Sequence, residues 1–417
     1  MTGPAPDWER LKRHIRSCVT GKFELDPNLI HLNVMLKASP PLTVREAIET
    51  HRAGLNKDPA GYFFERDADG GPTRSMRETA RVAGLAAKYL GLADVLQQRK
   101  LSGLDVIAQT TSTTMGLALL ANGVTARSGQ EVLMSTHDFF TWRDAWRFRS
   151  ARGDLACREM QLYADPGSAR LADEIVDTVA REIRKETRVL AMTWVHSNTG
   201  VKVPIGRIGQ LVEALNAERA PENRILYCVD GVHGFGVEDA DFQDFHCDFF
   251  AAGCHKWLFG PRGTGILCGA PESWQHLRET IPSMLPPGSD GARHTPGGVQ
   301  CFEHVWAVAE AFEFVAGIGK TAIAQYTHGL ATRLKKGLAS LPGVSVVTPM
   351  AAELSSGVVC CDPGLDARQA KKDLLDDGIA AMTATDVDGT HYLRFSPSIL
   401  NVEADIDKAI DAVSKLA

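Results

Sequence analysis

The chain has 417 residues, 44% of them hydrophobic and 23% charged, with a formal net charge of −6. That length allows two domains around a large core, and that balance is ordinary for a soluble globular protein. It offers no basic footprint for nucleic acid or anionic lipid, and no apolar run approaches the roughly 20 residues of a membrane span.

The first sixty residues read as irregular, with Pro4, Pro6, Pro27, Pro40 and Pro41 punctuating short apolar pieces. Helical spacing of apolar residues over 75–92 predicts an amphipathic helix. Short apolar runs then fall at 105–109, 131–135, 189–194, 226–230, 248–251 and 264–268, with helical stretches at 113–122, 168–185 and 206–219. This βαβ rhythm predicts a mostly parallel sheet covered on both faces. A Pro- and Gly-rich stretch, 283–298 (Pro286 and Pro287 among it), reads as a long loop. Helices follow at 302–318 and 321–340. The tail reads as strands at 344–347 and 356–361, a helix at 367–376, strands at 380–383 and 391–396, and a helix at 403–416. The division expected is an N-terminal segment 1–59 packing on the small domain, a large domain 60–300 and a small α+β domain 301–417. Nine scattered cysteines without a Cys-x-x-Cys pair point to reduced thiols, and with no signal-peptide core the expected location is cytoplasmic.

The chemistry gathers where apolar runs end. Asp230 closes the run Leu226-Tyr227-Cys228-Val229, and Lys256 follows the next run in Gly253-Cys254-His255-Lys256-Trp257. In a parallel sheet two such ends lie side by side at the carboxyl edge, where ligands bind. A desolvated lysine loses its proton more easily and becomes a nucleophile, whereas a surface lysine does neither. Asp230 is either a turn acid before glycine or a carboxylate for a protonated pyridine nitrogen. His233 is either a loop histidine or a partner for a phenolic oxygen. A Schiff-base amine and a pyridinium carboxylate are what pyridoxal phosphate requires of its protein. Ser112, Thr113 and Thr114 open a helix after a strand, which makes a phosphate site or a plain N-cap. Phe139 and Phe140 follow the next strand and could stack on a ring or pack in the core. Asn198, in His196-Ser197-Asn198-Thr199-Gly200, could bond cofactor or substrate. Arg394 is a charge inside the apolar strand Tyr392-Leu393-Arg394-Phe395, so it meets either a substrate carboxylate or an internal acid.

Asp230-x-x-His233, the Gly-Cys-His255-Lys256-Trp run with Gly260-Pro261 behind it, and the late Leu393-Arg394-Phe395-Ser396 strand together resemble the class V aminotransferase family (the cysteine desulfurase superfamily), nearest its isopenicillin-N-epimerase-like branch. The likeness runs from about Leu29 to the C-terminus. It implies a type I pyridoxal-phosphate fold, a mostly parallel seven-stranded sheet with a smaller α+β domain, and a homodimer with its active sites at the interface. By that resemblance Lys256 forms the internal aldimine, Asp230 pairs with the pyridine nitrogen, and His233 faces the phenolic oxygen. Ser112, Thr113 and Thr114 hold the phosphate, Phe140 or Phe139 stacks on the ring, and Arg394 grips the α-carboxylate.

The departures matter as much. Desulfurases carry a catalytic cysteine in the region that here spans Gly378-Gly389, and this chain has none there. Their stacking histidine is a phenylalanine here, so its acid-base work falls to Lys256, His137 or a water. A serine often offered to the phosphate is Gly253, and a partner-subunit Gly-Thr is Gly297-Gly298-Val299, leaving the Gly298 backbone to serve. The expected activity is at Cα or Cβ of an amino acid: epimerase-like or aminotransferase-like. The alternative is a carbon–sulfur lyase acting on a cysteine conjugate or sulfoxide, and the remote one a non-catalytic sensor. Substrate choice is expected from loops near Asn33, Phe63-Phe64 and 283–298.

Overall fold

The computed structural model describes residues 7–153, 155–285 and 287–416, so Pro4, Pro6 and Pro286 lie outside the described residues. Its centre is a seven-stranded sheet of β1 (Ile107–Thr110), β2 (Glu131–Ser135), β3 (Ala156–Met160), β4 (Thr187–Thr193), β5 (Leu226–Asp230), β6 (Phe249–Gly253) and β7 (Gly265–Gly269). In space the strands run β1-β7-β6-β5-β4-β2-β3. β7 lies antiparallel to both its neighbours, and the other pairings are parallel.

Every residue of β1, β2 and β4 to β7 is buried, which is why these strands read as unbroken apolar runs. Alternate residues still separate to two faces. Leu226 and Cys228 join one core cluster, whereas Tyr227 and Val229 join the other. The helix Thr113–Gly123 approaches the sheet closely because Gly116 has no side chain: a Cβ there would lie 3.2 Å from Cβ of Ala251. The strand β3 has no counterpart in the sequence reading. It is a half-exposed edge strand, Ala-Cys-Arg-Glu-Met, held by Arg158 bonding Glu131 and Glu182, so it carries no apolar run.

The N-terminal reading as irregular is corrected. Helices form at Trp8–Val19 and Leu42–Lys57. The first is capped by Asp7, which accepts from Arg10 N at 3.1 Å, and buries only a narrow stripe of Leu11, Ile15 and Val19. Charges at Glu9, Arg10, Lys12, Arg13 and Arg16 dilute that stripe in the sequence. Trp8 stacks on Tyr326 at 5.4 Å and donates to Glu403 at 2.9 Å, and Ile30–His31 pairs parallel with Ile379–Ala380. A helix at Phe140–Ser150 was also not expected, the 302–318 helix breaks at Ala307, and the 283–298 loop contains a short helix at Asp290–Arg293.

The C-terminal sheet contains β8 (Ser345–Val346), β9 (Val359–Asp362), β10 (Met382–Thr385) and β11 (His391–Phe395), ordered β10-β11-β9-β8 and antiparallel throughout. Helices Lys320–Ala339, Ala367–Asp376 and Glu403–Leu416 accompany it. Among the described residues no helix is long and apolar enough to cross a membrane.

A buried ionic knot ties the C-terminal elements to the loop after β5. Glu238 accepts from Lys202 at 2.8 Å, contacts His328 at 2.7 Å and accepts from Ser356. Burial pushes its carboxyl up, but the His328 bond and the nearby charges outweigh that and hold it at about 2. Its stabilisation is therefore complete above the unfolded carboxylate value and is lost as pH falls towards about 2. Glu238→Gln leaves the partly buried Lys202 without its counter-ion. We expect a stability loss of about 3 kcal/mol at neutral pH, shrinking in acid, when thermal midpoints are compared across pH.

Candidate active site

Asp230 is the last residue of β5 and is 2% exposed, with Oδ1 accepting the Val232 N–H at 3.1 Å. Glycine follows it by necessity: a Cβ on Gly231 would fall 1.9 Å from the Phe250 ring. Burial pushes the Asp230 carboxyl up to about 6, with the Val232 N–H and Lys256 pulling against it. Burial lowers the Lys256 amine to about 8, opposed by Asp230 and assisted by Arg394.

The turn carrying Lys256 is tightly specified. Phe259 N donates to Lys256 O at 2.9 Å and Gly260 N to Cys254 O at 2.8 Å. This closure places Phe259 at φ 58°, a left-handed conformation that is unfavourable for a bulky residue. The Phe259 ring compensates by packing edge-on against Phe23 at 5.5 Å, with 1% exposure. Trp257 is buried against Gly357, where a Cβ would come within 2.5 Å of the indole.

One cleft collects Ser112, Thr113, Thr114, Phe139, Asp230, His233, His255 and Lys256. Ser112 caps its helix by accepting from Met115 N at 3.1 Å, and the helix N-terminus lines the cleft, an arrangement suited to an anion. Gly253 has no room for the expected serine, since a Cβ would lie 2.9 Å from Thr113 Oγ1 and 3.0 Å from the His255 ring. Burial, then the Lys256 charge, hold His233 well below its ordinary value and lower His255 too, so both rings favour the neutral form. Asp138 is structural. Its two oxygens accept from Ser135 N at 2.7 Å and Thr193 N at 2.9 Å, locking the ends of β2 and β4 and aiming the chain into Phe139.

Four expected residues lie outside that lining. Phe140 is 56% exposed and packs on Phe139 at 4.6 Å, so of the two rings Phe139 is the one at the cleft. Asn198 donates to Asp386 at 3.0 Å, beside the cleft rather than in it. Arg394 Nη1 donates to Ser197 O at 2.8 Å. Its partner is thus a backbone carbonyl, while its charge reaches both Lys256 and His233. Gly298 is exposed at φ 105°, with its N–H on Met284 Sδ at 3.1 Å, away from this chain's cleft. Leu117, Thr141 and Val232 complete the wall. Thr141 went unnoticed because the helix that presents it was unnoticed.

Several buried polar atoms here have no partner among the described residues: Thr113 Oγ1, His233 Nδ1 and His255 Nδ1 at the cleft, and Asn198 Oδ1 and Arg394 Nε beside it. Such orphans are costly unless a ligand satisfies them. A helix N-terminus for a phosphate, a buried carboxylate, an aromatic face and a depressed lysine fit pyridoxal phosphate. Fold and site together define a pyridoxal-phosphate enzyme of the type I fold. The aminotransferase class-V model matches residues 103–408, and the chain belongs to that family. It is 28% identical to isopenicillin N epimerase of Streptomyces clavuligerus, over 98% of each chain. To a cysteine desulfurase of Escherichia coli (strain SE11) it is 25% identical, over 57% of this chain and 58% of that one. In shape it is similar to the cystine C–S lyase C-DES in complex with its product cysteine persulfide (TM-score 0.77, 17% identity, 93% of this chain and 98% of that one). The apo cysteine desulfurase of Thermococcus onnurineus NA1 is comparable (TM-score 0.77, 17% identity, 100% and 98%).

The rate at which apoprotein captures pyridoxal phosphate should follow the free amine of Lys256, rising with pH and levelling above about 8. Because Asp230 raises that value, Asp230→Asn should move the midpoint downward in stopped-flow absorbance. An unmoved midpoint contradicts the coupling.

Proposed function

We propose that this enzyme acts at Cα of an amino-acid substrate, epimerase-like in outcome, with Lys256 as the base and acid for the α-proton. The bound cofactor supplies an electron sink that weakens a bond at the substrate's Cα. Asp230 would hold the pyridine nitrogen protonated, and its burial denies it competing solvent. Ser112, Thr113 and Thr114 would take the phosphate, Phe139 would cover a ring face, and neutral His233 would accept or donate at the phenolic oxygen. Arg394 would hold the substrate carboxylate with its unpartnered Nε, fixing which Cα bond is aligned. Asn198 would brace that site through Asp386.

A persulfide route is disfavoured by the lack of an available thiol at the site, which by itself leaves the carbon–sulfur lyase open. The turn after β10, Asp386-Val387-Asp388-Gly389, has no cysteine, and Cys360 beside Arg394 is buried, with burial pushing its thiol up to about 12. A thiol so protonated is a poor nucleophile, which disfavours sulfur capture. The observation that carries the epimerase reading over the lyase is the 28% identity to an isopenicillin N epimerase across 98% of each chain. We further propose a homodimer, supported by exposed Met284 and Val299 around Gly298, which would then serve the partner's cleft. Cytoplasmic location is proposed on the nine free cysteines.

Chiral chromatography after incubation with single enantiomers of an amino-acid panel should show conversion to the opposite enantiomer. Pyruvate and a released thiol from cysteine conjugates would instead establish the lyase. Lys256→Ala should lower turnover about a thousandfold or more. Arg394→Ala should raise KM on the order of 100-fold for substrates bearing an α-carboxylate. An unchanged KM would make Arg394 structural.

A further inference from the structure

At the opposite, amino-terminal edge of the large sheet, Arg188 in β4 is 4% exposed. Its Nε donates to Thr125 O at 3.0 Å and its Nη1 to Arg224 O, while Nη2 lies 3.4 Å from His276 Nδ1. None of these partners is a carboxylate. The nearby Asp248 is engaged elsewhere, by Arg224 at 2.7 Å, by Tyr227 N at 2.8 Å and by Ser273. Arg188 faces a cavity of about 400 Å3 that Arg127, Gln130, His276 and Arg278 also line, with Glu222 its one acid. Among the described residues, no carboxylate lies within ion-pair distance of Arg127, Arg188 or Arg278.

Three guanidiniums sharing one wall repel one another, and a bound anion would relieve that repulsion. The wall is also preorganised. Thr125 N donates to His276 O at 2.8 Å and Arg278 N to Gly123 O at 2.9 Å, so the backbone at His276 and Arg278 is tied to the segment 123–125. Arg188 holds its guanidinium in place at the cavity's back, Arg127 and Arg278 bring theirs from the exposed rim, and guanidinium forks suit the paired oxygens of phosphate groups. We propose that this cavity is an anion-binding site, separate from the cofactor cleft, for a compact polyanion of the phosphate type.

The test is calorimetric titration of cofactor-saturated protein with inorganic pyrophosphate at constant ionic strength. One saturable equivalent is expected. Arg127→Gln with Arg278→Gln, both exposed positions, should weaken binding about tenfold or more without loss of cofactor. Glu222→Gln removes the sole acid and should tighten binding several-fold, a gain that damaged folding cannot imitate. Absence of saturable binding at millimolar pyrophosphate overturns the proposal, as does binding that neither variant alters.

Discussion

Everything at the catalytic edge depends on burying two opposite charges together. Asp230 and Lys256 each lose hydration, so the carboxylate is pushed up and the amine down, and each restrains the other. A pair so placed is costly as plain structure and serves function well. Burial brings deprotonation of the amine towards neutral pH and isolates the carboxylate from solvent, as the roles proposed for Lys256 and Asp230 require. Arg394 adds a second positive charge beside the cleft, bonded among the described residues to a backbone carbonyl, which supports its proposed role with a substrate carboxylate.

Rigid backbone holds that tuning in place. Asp138 bridges two strand ends, the turn after β6 accepts a left-handed phenylalanine, the Phe250 ring takes the space of a side chain at Gly231, and Thr113 Oγ1 and the His255 ring crowd it at Gly253. Strain of this kind at Phe259 persists only where packing over-determines it, and Phe23 from the N-terminal segment supplies part of that packing. The N-terminal segment therefore reaches the active site indirectly, through Phe23 and through Ala38 N on His255 O at 2.9 Å.

The buried strands were legible because parallel strands covered on both faces become apolar runs, and β2 and β5 have the bounds their runs suggest. The site was legible for a related reason: Asp230 and Lys256 interrupt apolar sequence where little else could. Elements with weak burial were not legible. The edge strand β3 and the narrow-striped helix Trp8–Val19 hide among charges. Between Phe139 and Phe140, adjacent and alike, only the start of a helix decides which ring meets the cleft. The guanidinium cavity was invisible because Arg127, Arg188 and Arg278 come from three separated segments.

The most direct measurement is borohydride reduction of the purified holoenzyme followed by peptide mapping. A cofactor adduct confined to the peptide containing Lys256, and lost in Lys256→Ala, is the predicted result. An adduct on another lysine, or none from protein that retains bound cofactor, would contradict the assignment of Lys256 and the mechanism built on it.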